Sequence, residues 1–277
     1  MGNPMAANIA KAGFELICYD NAGTFERTPT DATPATSLEQ VTAQTDTIFL
    51  SLPNGAIVHS VIEEISASPD RRVSVVIDLS TIGPKAASTA AERLSDVGIT
   101  YIDAPVSGGR AGALAATITL IWAGSKSELE RHSKVIDAFC GNPFHVGDKP
   151  GQGQAIKLLN NFLSATAMAA TSEAMLFGLS HGLDMKTMLD VVNVSTGQNT
   201  ASRDKFPQRI LTGTYDAGFF TEHLNKDVQL YINEVHQAAT PSGMGNTVSG
   251  IWQNCTDSFE PGTDFTRIFE HIGKQKT

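Results

Sequence analysis

A lysine and two asparagines lie within one helical turn of each other in the run Gly151-Gln152-Gly153-Gln154-Ala155-Ile156-Lys157-Leu158-Leu159-Asn160-Asn161. On a helix, Lys157 neighbours both Asn160, three residues on, and Asn161, four residues on. The residues that follow, Phe162 to Ala170, are almost all apolar. An ammonium at the mouth of so apolar a helix is costly to desolvate unless something pairs with it. Held in that way, a lysine has its pKa drawn toward neutrality and can give and take a proton. The same spacing also describes an ordinary solvated lysine, so its meaning depends on the rest of the chain.

Three further stretches carry chemistry. Asp20 follows an apolar run, 18 positions after Gly2. In a dinucleotide-binding fold, an acidic residue about 20 positions past the glycine turn accepts hydrogen bonds from the adenosine ribose. Its charge there repels a 2′-phosphate and favours NAD over NADP. The loop Asp103-Ala104-Pro105-Val106-Ser107-Gly108-Gly109 places two glycines after a serine. Glycine tolerates positive φ, so backbone N–H groups can converge there on an anion. The third stretch is Lys226-Asp227, a charge pair on a helical pattern, which by itself reads as a solvated face.

These residues need elements to hold them. Up to about residue 148 the chain alternates apolar strands with helices. Helices are expected at Met5–Ala12, Ser37–Gln44, Ile57–Ile65, from Pro84 to about Val97, and at Ser127–Phe139. Strands are expected at Phe14–Tyr19, Thr47–Leu52, Val73–Leu79, Thr100–Ile102, Thr117–Trp122 and Pro143–Val146, with 21–36 as loop. Ser37, with Gln40 three residues on, reads as a capping box. Such alternation implies a mostly parallel sheet covered on both faces, with ligands beyond the carboxyl ends of its strands. After Gly151 only helical patterns remain. The expected architecture is a doubly wound α/β domain of the Rossmann type over 1–150. An all-helical domain for substrate and dimer contacts should follow over 151–277, joined by the helix that bears Lys157.

Composition narrows the partners. The net charge is −9 with a pI near 5.2 and no cluster of Lys or Arg, which argues against nucleic acid and anionic membranes. Cys18, Cys140 and Cys255 are far apart and read as buried thiols in a reducing compartment; the seven histidines show no metal-ligand spacing. No signal peptide is evident, and the longest apolar run, Leu158–Ser172, is shorter than the roughly 20 residues a bilayer requires. A cytoplasmic protein is expected.

Taken in register, the motifs resemble the β-hydroxyacid dehydrogenase family, the group of 3-hydroxyisobutyrate dehydrogenase and tartronate semialdehyde reductase. Met1-Gly2-Asn3-Pro4-Met5-Ala6 is similar to the end of that family's cofactor turn. Asp103–Gly109 resembles its substrate motif, and Gly151–Asn161 its catalytic motif. Lys226-Asp227 resembles its late cofactor contact. The resemblance implies Lys157 as the catalytic lysine, with Ser107, Gly108, Gly109 and Asn161 binding substrate. It places Gly2, Asp20, Leu52, Pro53, Thr81 and Lys226 on NAD, with NADP less favoured and no metal. The implied activity is hydride transfer between NAD and a short β-hydroxy acid or its semialdehyde, in a homodimer or homotetramer. A phosphogluconate-type sugar-acid dehydrogenase and a catalytically silent nucleotide-binding scaffold are the alternatives. The first needs a basic phosphate cluster that is not seen, and the second has no use for a desolvated lysine. Two departures stand out. Ala116-Thr117-Ile118 replaces the family's G-T-L. The chain also opens at the third glycine of the turn, so a first strand and G-x-G, about 10 residues, are expected ahead of Met1.

Overall fold

The computed structural model describes residues 1–274, which divide into two compact units, Met1–Lys157 and a second beginning at Leu158. The first unit opens with α1 (Gly2–Lys11), β1 (Ile17–Cys18), α2 (Thr24–Arg27) and β2 (Thr33–Pro34). Next come α3 (Leu38–Gln44), β3 (Thr47–Leu50), α4 (Gly55–Ala67), β4 (Val75–Asp78), α5 (Pro84–Ser95) and β5 (Thr100–Asp103). It closes with β6 (Val106–Ser107), α6 (Gly109–Leu114), β7 (Ile118–Ala123), α7 (Lys126–Arg131), α8 (Ser133–Asp137) and β8 (Cys140–Gly147).

Six strands form one mixed sheet in the order β3-β4-β5-β7-β6, with β8 on the other side of β7. β3, β4 and β5 run parallel; β7 is antiparallel to β5 and β6 and parallel to β8. Alternate side chains feed two cores, as the strand period requires. Ile48, Leu50, Val76 and Tyr101 pack with Val58, Ile62, Ala87 and Leu94 of α4 and α5. Val75, Ile77, Ile102 and Trp122 pack with Met5 and Ile9 of α1 and with Phe139. The sheet is therefore covered on both faces, the doubly wound arrangement expected of the sequence.

Several local expectations are revised. The 21–36 stretch is not all loop: it holds α2 and β2, and β2 pairs in parallel with β1. That pair is a separate two-stranded sheet, not an extension of the larger one, so β3 is an end strand of the six. The helix expected over Ser127–Phe139 breaks at His132 into α7 and α8, where the His132 ring lies 2.8 Å from the Glu128 carbonyl. Ser37 does cap α3 by accepting from the Gln40 N–H, but the Gln40 side chain reaches back to Thr36 rather than to Ser37. Cys140 and Cys255 are buried, whereas Cys18 is only half-buried; all three thiols are free.

The second unit is helical. α9 (Gln152–Ser180) is followed by α10 (Met185–Val192), a π-helix over Ala201–Ile210, α11 (Thr221–Gln237), α12 (Gly243–Asp257), a 3₁₀ turn (Phe265–Arg267) and α13 (Ile268–Lys274). Its core gathers Ala165, Met168, Phe206, Val228, Trp252 and Phe265, and the Trp252 indole N–H donates to the Ala165 carbonyl. α9 has 29 residues and is, by length and composition, long and apolar enough to cross a membrane. That overturns the expectation that no apolar stretch reaches bilayer length. Ala165, Met168, Ala169 and Met175 of α9 nevertheless lie buried in the helical core, as in a core helix packed against protein.

Candidate active site

The first unit buries Asp78, Ser80 and Asp103 at the carboxyl ends of two adjacent parallel strands. Registered pairing sets Leu50 beside Asp78 and Asp78 beside Asp103, so two carboxylates finish adjacent strands. Asp78 is fully buried; it accepts from the Tyr101 hydroxyl at 2.9 Å and from the Ser80 N–H at 2.9 Å. Burial raises its pKa against the pull of those hydrogen bonds. The Ser80 hydroxyl accepts from the Leu52 N–H at 2.9 Å, tying the loop after β3 to the loop after β4. Leu52, Pro53 and Thr81, expected to line a cofactor, thus follow neighbouring strands that share this bonded end.

The residues fit a dinucleotide at this edge. Gly2 opens α1, and a Cβ on it would stand 3.3 Å from Ser51 Cβ, so glycine keeps the helix start close to the loop after β3. No side chain caps α1, and its first turn holds no acidic residue, leaving the positive end of the helix for an anion. Asp20 follows β1. Its carboxylate accepts from the Ala22 N–H at 2.9 Å and pairs with Arg27 at 3.1 Å, both partners being exposed. The sequence did not foresee Arg27 beside Asp20.

The substrate loop is shaped by its glycines. Gly108 has φ +132° and a Cβ there would meet Ile118 Cγ2 at 3.1 Å; Gly109 has φ +63°. Gly108 demands glycine on both counts, and Gly109 favours it, because L side chains rarely adopt such φ values. The turn takes β6, ending in Ser107, directly into α6, whose first amides have no side-chain cap. Asp103 anchors the same segment: its Oδ2 accepts from the N–H groups of Gly151 (2.8 Å) and Gln154 (3.1 Å), and its Oδ1 from the Gln154 side-chain amide (2.7 Å). Burial pushes the Asp103 pKa up to about 6, against those hydrogen bonds, with Asp78 adding to the rise. Lys157 sits one turn beyond Gln154 on α9 and is 9% exposed as a whole residue, so most of its surface is buried.

In the second unit, Asn161 and Lys226 converge on one carboxylate. Asn161 donates to Asp227 Oδ2 at 2.7 Å, and Lys226 pairs with Asp227 Oδ1 at 2.9 Å. Asp227 is buried and fixes the Asn161 amide, a role spacing alone did not assign. Asp78, Asp103 and Gln154 were likewise missed. The available signal was a single carboxylate closing each of two adjacent apolar strands, in Val75-Val76-Ile77-Asp78 and Thr100-Tyr101-Ile102-Asp103.

Comparison with known proteins identifies the family. Residues 1–147 match the NAD binding domain of 6-phosphogluconate dehydrogenase. Residues 151–272 match the family described as NAD-binding of NADP-dependent 3-hydroxyisobutyrate dehydrogenase. The chain is 34% identical to 3-hydroxyisobutyrate dehydrogenase of Pseudomonas aeruginosa, over 97% of its own length and 94% of the relative's. It belongs to the β-hydroxyacid dehydrogenase family. A second relative, 2-(hydroxymethyl)glutarate dehydrogenase of Eubacterium barkeri, is 32% identical over 91% of this chain and 85% of that one. The solved structure of Mycobacterium tuberculosis 3-hydroxyisobutyrate dehydrogenase with L-serine superposes with a TM-score of 0.89 at 27% identity. It covers 98% of this chain and 95% of that one. The protein is an NAD-dependent oxidoreductase acting on a CH–OH group, as its relatives, named for the oxidation of small hydroxy acids, are.

Proposed function

We propose that this dehydrogenase interconverts a short 3-hydroxy acid of the 3-hydroxyisobutyrate type and its semialdehyde, with NAD as the preferred cofactor and Lys157 as general acid and base. The observation that carries the reading is the burial of Lys157, a residue only 9% exposed near the start of α9. Both relatives cited above are named for acids with a hydroxymethyl group one carbon from a carboxylate. That pattern asks for an anion site and a proton acceptor a short distance apart.

Bound NAD would supply the hydride acceptor for the carbinol carbon. Lys157 Nζ accepts the hydroxyl proton as the alcohol is oxidised and returns it in the reverse direction. The Ser107 hydroxyl and the N–H groups of Gly108 and Gly109 hold the substrate carboxylate, where uncapped helix-start amides favour negative charge. Asn161, oriented by Asp227, donates to the substrate. Gly2, Leu52, Pro53 and Thr81 hold the cofactor, Asp20 takes its ribose, and Lys226 is a further cofactor contact. The enzyme is cytoplasmic and works as a homodimer or homotetramer.

A scan of hydroxy acids with NAD at alkaline pH, followed by NADH absorbance, tests the substrate class. Turnover of 3-hydroxyisobutyrate without turnover of 6-phosphogluconate is expected; the reverse order would replace this reading with a sugar-acid dehydrogenase. The same assay with NADP tests Asp20, whose partner Arg27 is the residue able to receive a 2′-phosphate. Equal turnover with NADP would remove the discriminating role of Asp20.

A further inference from the structure

α9 begins at Gln152, and the residue before it, Gly151, has φ +98° and no side chain with which to cap the helix. A side chain from another strand does that work. Asp103, at the end of β5, accepts from the Gly151 and Gln154 backbone N–H groups, satisfying amides that the helix start leaves without partners. The Gln154 side chain then locks the turn from the other side. Its amide nitrogen donates to Asp103 Oδ1 at 2.7 Å and to the Ser80 carbonyl at 3.0 Å. Its amide oxygen accepts from the N–H groups of Ile82 at 2.9 Å and Gly83 at 3.1 Å. Asp103 and Gln154 are both fully buried. Between them, Gly153 lies so close to the sheet that a Cβ would meet the Ile121 carbonyl at 2.8 Å and the Asp103 carbonyl at 3.0 Å.

We infer that Asp103 and Gln154 are positioning residues for Lys157: together they fix the rotation of the first turn of α9 against the ends of β4 and β5, and so the direction of the lysine one turn on. The inference rests on the reading of Lys157 as the acid–base group. Six hydrogen bonds converge on these two side chains, and a rotation of the helix about its axis would break all of them. The Asp103 carboxylate also opens the Ser107-Gly108-Gly109 loop. One anchor therefore sets both the proton acceptor and the segment proposed to hold substrate, which is the coupling a near-attack geometry requires.

The test compares Gln154→Met and Asp103→Asn, each alone and combined with Lys157→Ala. Gln154→Met keeps volume while removing four bonds; Asp103→Asn keeps shape, so at least one variant should remain folded. Each alone is expected to lower kcat by about 10- to 100-fold, the scale of a 1 Å misplacement. The NAD Kd should hold within about twofold, since neither side chain is placed on the cofactor. Added to Lys157→Ala, the same substitutions should cost less than about twofold more, because nothing remains to be aimed. Amide hydrogen exchange over residues 151–157 should rise about tenfold or more while exchange in β3 and β4 holds. An equal loss of kcat in the presence and absence of Lys157 would overturn the inference and leave the pair a purely structural role. Full kcat in both single variants, with Lys157→Ala inactive, would also overturn it while preserving the role of Lys157. Full activity of Lys157→Ala itself would instead remove the premise and show that the mechanism is wrong at its centre.

Discussion

At the scale of single residues, Ser107 and Lys157 are the side chains with most to lose by substitution. Ser107→Ala removes one hydroxyl from a loop whose other contributions are backbone N–H groups. The loss expected is one hydrogen bond to a charged group, about 1.5–3 kcal/mol. It should appear as a higher KM for the hydroxy acid, with the KM for NAD nearly unchanged. A change confined to the NAD KM would place the loop on the cofactor. Lys157, Asn161, Ser107 and the two glycines could be singled out in the sequence because their spacing is local. Gln154 and Asp103 were not legible as partners, since 51 residues separate them and only the fold brings them to 2.7 Å. Asp227 was hidden for the same reason: a charge pair on a helix reads as solvated until the structure shows it buried against Asn161.

At the scale of elements, turns and strand ends carry testable strain and charge. Ala116, in the turn between α6 and β7, has φ +55°, the left-handed region that glycine occupies freely and alanine does not. It stands where the family's G-T-L places glycine. Ala116→Gly is therefore expected to stabilise the protein by about 1 kcal/mol and raise Tm, with kcat unaltered. A lower Tm would show that the turn depends on the alanine methyl. Asp103 offers a pH test. Its folded pKa of about 6 lies above its ordinary 3.8, so between those values the folded state holds a proton that the unfolded chain has released. Its contribution is most favourable below pH 4 and is lost as pH rises through 6. Urea unfolding should show the stability gap between wild type and Asp103→Asn shrinking by up to about 3 kcal/mol from pH 4 to 7. A gap that stays level or widens would mean the hydrogen bonds, not burial, dominate at that carboxylate. The helices and parallel strands were legible from apolar periodicity. The short β1–β2 pair and the break at His132 were not, because two-residue strands leave no period and the break follows from a histidine ring bonding to its own helix.

At the scale of the whole molecule, the division into a sheet-based unit and a helical unit followed from the loss of strand patterns after Gly151. The structural boundary falls after Lys157, so the opening turns of α9 belong with the sheet. The register of the strands, with β7 reversed against β5, could not be read from sequence because apolar runs do not record direction. The helical unit leaves Leu163, Phe177, Leu183 and Val191 exposed, apolar side chains that a second copy of the chain could cover. Light scattering should accordingly return the mass of a dimer or tetramer of the 29.4 kDa chain. A monomer at micromolar concentration would contradict that expectation.

The central claim is that a buried lysine on α9 moves the proton while NAD takes the hydride. Its most direct test is steady-state oxidation of 3-hydroxyisobutyrate by wild type and Lys157→Ala, with NAD affinity measured on both by calorimetry. The variant should lose about 10²- to 10⁴-fold in kcat, the usual share of general acid–base catalysis, while its NAD Kd stays the same. An unchanged kcat, or a loss accounted for entirely by weaker NAD binding, would contradict the claim.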